Sequence, residues 1–571
     1  MTRPKLSDRQ RNFRPSIPRR IAFCVLSGMV LPVAIGAGGV DSGGQVERQF
    51  RKAPESRSGV KPRPPTLPQR TPRSAPQGEG IDVSGFQLDG NTVYSQDALQ
   101  PMFMPYLGRK VTPAELLVLA EQLTDRYRRD GYLLSEVVVP EQSVTNGVVS
   151  LVATEGYVAE VRIQGGEDIP LAEFEPFIEP IRKERPATAN VLERNLFLMN
   201  DLGGLSVSSA LEPIPGQAGA HVLVVAIARY RFGGAVAVDN RGSRSSGPWR
   251  GYLDLYATGL TGHFDETAFR AVTTGDRELN YIYLSHDEPI GASGARVGIS
   301  LNGSDSNVTD PAFNNTFETR SRGMAISASY PIYRTQGANA YLRGAYTAHN
   351  GVTDVPDFPV TRDRIRALRL AMTIDSVDTL GGVNLLEVEL SKGLRGMGAS
   401  ANGDPTRSRE NGRNDFFKTT IYAARLQSIA ERWSILAAVN AQIASNSLLV
   451  PEQFAFGGDQ FGRGYNAAEL VGDSGLALKL ELRLSGGKPG FLPGPYTVYG
   501  FYDLGKAWTR SPNEDLGEVS SYSASSAGLG VRMNVGSSAG AFVELAQPLT
   551  RDVAERGNRR PRLFAGLSYR F

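Results

Sequence analysis

Cysteine is almost missing from this chain. Among 571 residues there is one, Cys24, and it lies in an apolar run at 21–37 that follows Lys5, Arg9, Arg11, Arg14, Arg19 and Arg20. A basic start, an apolar core and closing small residues (Ala34, Gly36, Ala37) are the build of a secretory signal peptide, expected over 1–37. The run contains Pro32 and is shorter than the ~20 residues of a membrane-spanning helix. Removing it leaves no thiol, which fits export without disulfides and excludes thiol catalysis and cysteine metal sites. Histidine is also scarce. His221, His263, His286 and His349 are scattered with no metal-ligand spacing, so they read as ordinary surface or wall residues. No H-E-x-x-H, G-x-S-x-G or phosphate-cradling loop of useful quality appears, so neither an enzyme nor a cofactor is expected. A mean hydropathy of −0.24 excludes a helical membrane protein. One-sided charge is missing from the body of the chain as well. Residues 1–78 hold 15 Lys and Arg against 4 Asp and Glu, whereas the remainder holds 47 against 55, so no nucleic-acid partner is expected.

Proline is concentrated where structure is least expected. Pro54, Pro62, Pro64, Pro65, Pro68, Pro72 and Pro76 fall within 38–79, a semi-rigid linker unable to bury enough apolar surface to fold. A compact α+β module is expected over 80–156. It comprises a strand at 82–88, a helix from Ser95 to about residue 104, and a second helix opened by Thr112, Pro113 and Glu115 as a capping box with an N1 proline. Leu116, Leu119, Ala120, Leu123 and Tyr127 recur at helical spacing, and a hairpin of strands 134–139 and 148–154 carries an Asn146-Gly147 turn. The same order recurs over 157–229: a strand at 158–163, helices at 171–181 and 191–202, and paired strands at 205–211 and 221–227.

From about residue 230 the pattern changes to segments of eight to twelve residues that alternate apolar with small or polar side chains, without capped helices. So many long strands in one domain suit a transmembrane barrel, whose strands need ~9–11 residues with one apolar and one polar face. The polar stretches 302–319, 350–363 and 396–415 are expected to be surface loops, because unsatisfied backbone is excluded from hydrocarbon. In the last segment Phe571, Tyr569, Leu567, Ala565 and Leu563 share one face, and Arg570, Ser568 and Gly566 the other.

One stretch breaks the alternation. Residues 456–466, Phe-Gly-Gly-Asp-Gln-Phe-Gly-Arg-Gly-Tyr-Asn, cluster glycines around a single cation, Arg463. Glycine at that density weakens a strand and suits a tightly shaped loop. An enclosed cation needs a counter-charge, and Asp503, set among apolar neighbours in a later strand, is the expected partner. Lumen water, Glu481 or Arg483 are the alternatives.

Gly-Arg-Gly-Tyr followed by Phe-x-Asp-x-Gly on a later strand resembles the paired signature of the outer-membrane transporters of two-partner secretion. These form the haemolysin secretion/activation family (ShlB/FhaC/HecB type) within the larger superfamily of outer-membrane assembly and secretion barrels. Gly90-Asn91-Thr92-Val93-Tyr94, the stretch Tyr127 to Tyr132 and the stretch Pro140 to Val149 resemble that family's transport-associated (POTRA) module. The resemblance implies two small α+β POTRA domains followed by a transmembrane antiparallel β-barrel of about sixteen strands with a lumen-inserted loop. In this implied scheme Gly462, Arg463, Gly464 and Tyr465 form a gating loop, held by a wall comprising Asp503, Phe501 and Gly505. Phe571, with Tyr569 and Leu567, resembles a barrel insertion signal. The family carries Val before the Arg where this chain has Gly462, which implies a looser loop tip. Relatives have a short plugging helix before the linker, for which only residues 45–52 are available, and that segment is brief and polar. The implied partners are a secreted polypeptide (a large β-helical exoprotein), outer-membrane lipid, and the barrel assembly machinery with periplasmic chaperones. The implied location is the outer membrane of a Gram-negative bacterium, with the POTRA domains in the periplasm. An outer-membrane assembly and insertion factor and a passive porin-like channel are the alternatives.

Overall fold

Thr112 and Glu115 exchange hydrogen bonds at the start of the seventeen-residue helix Pro113–Arg129: the Glu115 amide donates to Thr112 Oγ1, and the Thr112 amide donates to the Glu115 carboxylate. This capping box satisfies two otherwise orphaned donors and fixes where the helix begins. The computed structural model describes residues 46, 50, 78–144, 146–275, 277–310, 315–354, 360–487, 494–511 and 520–571. The expected leader and nearly all of the expected linker lie outside them.

The first module contains β1 (Ile81–Val83), β2 (Gly85–Asp89), α1 (Gln96–Phe103), β3 (Arg109–Val111), α2 (Pro113–Arg129), β4 (Glu136–Val138) and β5 (Val148–Thr154). The single strand expected at 82–88 is two strands. At Ser84 the chain leaves β3 as its partner and joins β5, because the Ser84 amide and hydroxyl are taken by the carbonyls of Gly147 and Asn146. Leu116, Leu119, Ala120, Leu123 and Tyr127 are buried on one face of α2 against Val137, Val149 and Leu151. The residues that carried the resemblance also meet: Glu155 accepts hydrogen bonds from the Thr92 amide at 2.7 Å and from the Tyr127 hydroxyl at 2.9 Å.

The second module repeats the plan with β6 (Tyr157–Gln164), α3 (Glu175–Lys183), α4 (Ala189–Asn200), β7 (Leu205–Pro213) and β8 (Ala220–Arg229). Its sheet has the order β6-β8-β7. Phe174, Phe177, Ile178, Leu192 and Leu196 are buried in its core.

The chain then enters β9 (Phe232–Asp239), β10 (Arg250–Thr258), β11 (Glu266–Thr274), β12 (Leu279–Ile290), β13 (Ala295–Asp310), β14 (Asn315–Arg334), β15 (Ala338–Asp354), β16 (Thr361–Val377), β17 (Val383–Gly393), β18 (Phe417–Ser428) and β19 (Trp433–Ala444). After a short hairpin of β20 (Phe454–Phe456) and β21 (Leu470–Gly472), it continues through β22 (Ser474–Gly486), β23 (Tyr496–Trp508), β24 (Ser521–Val535), β25 (Ala539–Pro548) and β26 (Arg562–Arg570). All but β20 and β21 form a closed antiparallel barrel of sixteen strands, with β26 paired to β9. Closure leaves no open edge in the barrel sheet, so every wall strand is paired on both sides.

Strand β22 shows how the sequence sets the faces. Leu476, Leu478, Leu480 and Leu482 are exposed on the outside, while Lys479, Glu481 and Arg483 alternate with them and point inward. An outer surface of leucine matches a lipid-facing barrel wall. On β26, Leu563, Leu567 and Tyr569 face outward with the terminal Phe571, whose amide donates to the Gly234 carbonyl across the closing seam.

Two expected loops are instead strand. Residues 302–310 and 315–319 belong to β13 and β14, and 350–354 and 361–363 belong to β15 and β16. Their polar composition reads as loop, but a ladder needs only paired backbone, and beyond the apolar belt polar side chains can face water on both sides. The third, at 396–415, is a connection as expected.

The second module sits on the near rim of the barrel. Arg334 at the end of β14 donates Nε and Nη2 to the two carboxylate oxygens of Asp201 at 2.8 and 2.9 Å, and its guanidinium stacks 4.7 Å from the Phe197 ring. Phe264, from the turn between β10 and β11, packs into the module's own core beside Phe174. These contacts fix direction: β9 runs away from the modules, so the connections at 240–249, 394–416, 445–473 and 549–561 lie at the far rim.

Candidate functional site: a loop folded into the barrel

The connection between β19 and β22 turns inward and is buried over most of its length. Its tip is centred on Arg463, which is 2% exposed. The guanidinium donates Nε to Asp503 Oδ2 and Nη2 to Asp503 Oδ1, both at 2.9 Å. The amides of Gly462 and Arg463 donate to the same carboxylate at 3.1 and 3.0 Å. Asp503 therefore binds side chain and backbone together, and the fork is bidentate, the geometry that most favours an Arg–carboxylate pair.

Asp503 does not act alone. Arg463 Nη1 lies 2.5 Å from Glu481 Oε2 and 3.8 Å from Glu544, and its guanidinium stacks 3.6 Å above the Phe501 ring. Glu481, weighed as an alternative partner, is thus a second partner. It also accepts from Arg483 at 2.7 Å and Arg532 at 2.8 Å, while Glu544 accepts from Arg241 at 2.8 Å and from the Tyr499 hydroxyl. The alternation of β22 to β25 brings this network together: Glu481, Asp503, Arg532 and Glu544 occupy inward positions on four consecutive wall strands.

Gly462 does not loosen the tip. Its φ of +93° suits glycine, and a Cβ there would lie 2.7 Å from the Phe456 ring. Val at this backbone conformation would be strained, so glycine lets the amide reach Asp503. Gly505 makes the matching opening in the wall, where an added Cβ would meet the same ring at 2.2 Å. Gly464 donates its amide to Ser526 Oγ, and the Tyr465 hydroxyl donates to the Ser525 carbonyl at 3.0 Å. The 549–561 connection holds the returning limb: Glu555 accepts from Asn466, and Glu469 accepts from the Ala554 amide.

The descending limb has an anchor that sequence reasoning missed. Glu452, 5% exposed, is 2.6 Å from Arg369 Nη2 on β16 and 2.7 Å from Lys418 Nζ on β18. Its carbonyl accepts from Lys418 and from Gln442 Nε2, both at 3.0 Å. The available signal was a lone acid in the apolar run Leu448, Leu449, Val450, Pro451, set against an inward arginine in β16.

A second insert occupies the other flank. Val46 and Phe50, helical and one turn apart, are buried against Tyr252, Val272, Leu279 and Tyr281. The Phe50 ring lies 5.0 Å from that of Tyr281, and Arg270, itself paired with Asp254, donates to the Phe50 carbonyl at 2.8 Å. The 45–52 segment, the one stretch available for a plug, reads as brief and polar. Two apolar residues at i and i+4 suffice here because the wall supplies the aromatic surface. The rest of that segment lies outside the described residues. Between the inserts is a cavity of about 900 Å³ bordered by Phe50, Arg343, Glu387, Glu389, Tyr422 and Phe461.

Residues 219–533 match the model of the haemolysin secretion/activation protein family ShlB/FhaC/HecB, and residues 81–156 match the ShlB-type POTRA domain. The chain is 22% identical over 553 residues to the heme/hemopexin transporter protein HuxB of Haemophilus influenzae, covering 93% of this chain and 96% of that one. It is 23% identical to the outer membrane transporter CdiB of Escherichia coli, covering 77% of this chain and 74% of the other. The solved structure of CdiB from Escherichia coli superimposes with a TM-score of 0.69 at 19% identity, covering 90% of this chain and 94% of that one. CdiB from Acinetobacter baumannii gives 0.60 at 15% identity, covering 92% and 96%. The barrel lies in the outer membrane with its POTRA domains in the periplasm, and the chain belongs to the haemolysin secretion/activation (ShlB/FhaC/HecB) family of two-partner secretion transporters.

Proposed function

We propose that this protein captures an unfolded exported partner polypeptide with its periplasmic modules and passes it outward through the barrel, the loop carrying Arg463 holding the resting lumen closed. The carrying observation is that the lumen is occupied by inserts held to the wall by hydrogen bonds, ion pairs and ring contacts: Arg463 is clamped by Asp503 and Glu481, and Phe50 is seated on the other flank. Such inserts can leave without unfolding the sheet. The sheets of both modules end in unpaired edge strands among the described residues, β2 and β4 in the first and β6 and β7 in the second. An extended chain can add to such an edge through main-chain hydrogen bonds, giving affinity without demanding one sequence. We assign residues 1–37 to a cleaved leader, 38–79 to the linker, which also carries the inserted Val46 and Phe50, 80–156 and 157–229 to the two modules, and 230–571 to the barrel. The implied cargo is a large β-helical exoprotein of the haemolysin or adhesin kind. Biogenesis would use the barrel assembly machinery and periplasmic chaperones.

The test is export of the neighbouring candidate cargo in cells carrying wild type, Arg463→Ala, Asp503→Ala, or the charge swap Arg463→Asp with Asp503→Arg, with barrel folding followed by heat-modifiable mobility. Folded single variants that lose export, partly restored by the swap, support the reading. Unchanged export with folded barrels refutes the role of the pair. Failure of wild type to move the cargo favours an assembly factor.

A further inference from the structure

The outside of the barrel changes character along one flank. On β16 the outward positions are Leu368, Leu370, Met372 and Ile374, and then, toward the far rim, Arg366, Arg364 and Arg362. β14 repeats the change: Ile326 and Tyr330 are exposed in the apolar belt, and Arg322 and Arg320 follow at the same parity. Register aligns the two sets. Arg322 lies opposite Asn350, which lies opposite Arg364, and Arg320 lies opposite Val352, which lies opposite Arg362. Two strand spacings separate the pairs by about 10 Å, and two residues along a strand separate neighbours by about 7 Å.

These cations are differently engaged. Arg320 and Arg322 meet Glu318 at 3.4 Å and Asp305 at 3.3 Å, with side chains 71% and 61% exposed. Arg366 donates to the Met397 and His349 carbonyls and to Asn350. Arg362 and Arg364 are exposed, and among the described residues their side chains form no hydrogen bond or ion pair; Asp404 acts on Arg364 only through its charge. Among the described residues β22 and β23 lack this feature. β22 shows leucine almost to its far end, and β23 adds only Lys506 beside Trp508.

Because the modules are periplasmic, the far rim is extracellular. On β16 Arg366 is the next outward position after Leu368, and on β14 Arg322 follows Ile326 with only Met324 between them, at the depth where acyl chains give way to headgroups. Guanidinium is the side chain that best matches phosphate, in charge and in its planar fork of donors. We propose that the β14–β16 flank binds a phosphorylated glycolipid of the outer leaflet, of the lipid A class. Arg320, Arg322, Arg362 and Arg364 contact its phosphates, and its acyl chains lie on Ile326, Tyr346 and Leu368. The site is independent of what the barrel exports.

The full-length protein is purified in detergent, and bound lipid is counted by native mass spectrometry after adding bisphosphorylated lipid A, its enzymatically dephosphorylated form, or inorganic phosphate. Wild type is expected to retain the phosphorylated lipid and to release the dephosphorylated form. Inorganic phosphate at millimolar concentration should not displace the lipid. Arg362→Gln with Arg364→Gln should weaken retention by roughly fivefold for each guanidinium removed, with heat-modifiable mobility unchanged, whereas Lys506→Gln should leave retention as in wild type. Equal retention of the two lipids by wild type overturns the proposal without recourse to any variant. So does undiminished retention by the double variant, or displacement by inorganic phosphate, which would mark a free-anion site.

Discussion

Glu452 and Arg463 are eleven positions apart on one loop, yet they are ion-paired to different flanks of the barrel. Glu452 is tied to Arg369 and Lys418 on β16 and β18, and Arg463 to Glu481 and Asp503 on β22 and β23. The loop is therefore fastened across the lumen at two points of opposite sign.

Two-point fastening predicts that one release does not clear the lumen. In planar bilayers, Glu452→Gln and Asp503→Asn should each raise conductance modestly, and the double variant should raise it by more than the sum. Additive or smaller effects would mean that the limbs move separately.

Removing Arg463 leaves Asp503, Glu481 and Glu544 facing one another with one cation fewer. Loss of one partner of a buried ion pair costs about 3–5 kcal/mol, so Arg463→Ala should lower the temperature at which the detergent-solubilised barrel loses its heat-modifiable form. Arg463→Lys should recover only part of this, because an ammonium cannot reproduce the bidentate fork. A barrel melting as wild type would show that water replaces the guanidinium at little cost.

Phe50 holds its insert through two rings and its own carbonyl. Truncating a buried Phe costs about 3–5 kcal/mol, more than a short helical segment regains by itself. Phe50→Ala should therefore release the insert and increase conductance with barrel stability unchanged. The check is accessibility of a cysteine placed at Val46, on this otherwise nearly thiol-free chain, to a membrane-impermeant maleimide.

Asp201 couples the second module to the rim. Asp201→Ala leaves Arg334 buried without its bidentate partner, so hydrogen exchange across α4 should accelerate while the barrel strands stay protected. Unaltered exchange would place the attachment in the Phe264 contact instead.

Glu115 gives a pH signature to the first module. Hydrogen bonds from the Thr112 amide, Arg109 and the Thr112 hydroxyl hold its carboxyl down to about 2. A depressed folded-state value means that its contribution is full above the ordinary carboxylate range and is lost as pH falls toward 2. Exchange of the first-turn amides of α2 should rise between about pH 4.5 and 2, and Glu115→Gln should remove that dependence.

Much of this was legible in the chain because its signals are local. Alternation in Leu476 to Leu484 marked a two-faced strand, Thr112 to Glu115 a helix start, and the glycines around Arg463 a shaped loop whose cation needed a carboxylate. Other features were illegible for an equally physical reason. Polar strands such as 302–310 look like loop because composition reports solvent contact and not backbone pairing. The 45–52 segment carries little local sign of an insert because its apolar partners, Tyr252 and Tyr281, lie more than two hundred residues away.

Local alternation settles which side chains face lipid and which face the lumen, since a period of two leaves no other choice once one face is leucine. Which lumen charges meet is settled by the closed barrel alone. Closure of sixteen strands and their register set Glu481 beside Arg463 and Arg369 beside Glu452, and neither distance is encoded in any stretch shorter than the barrel.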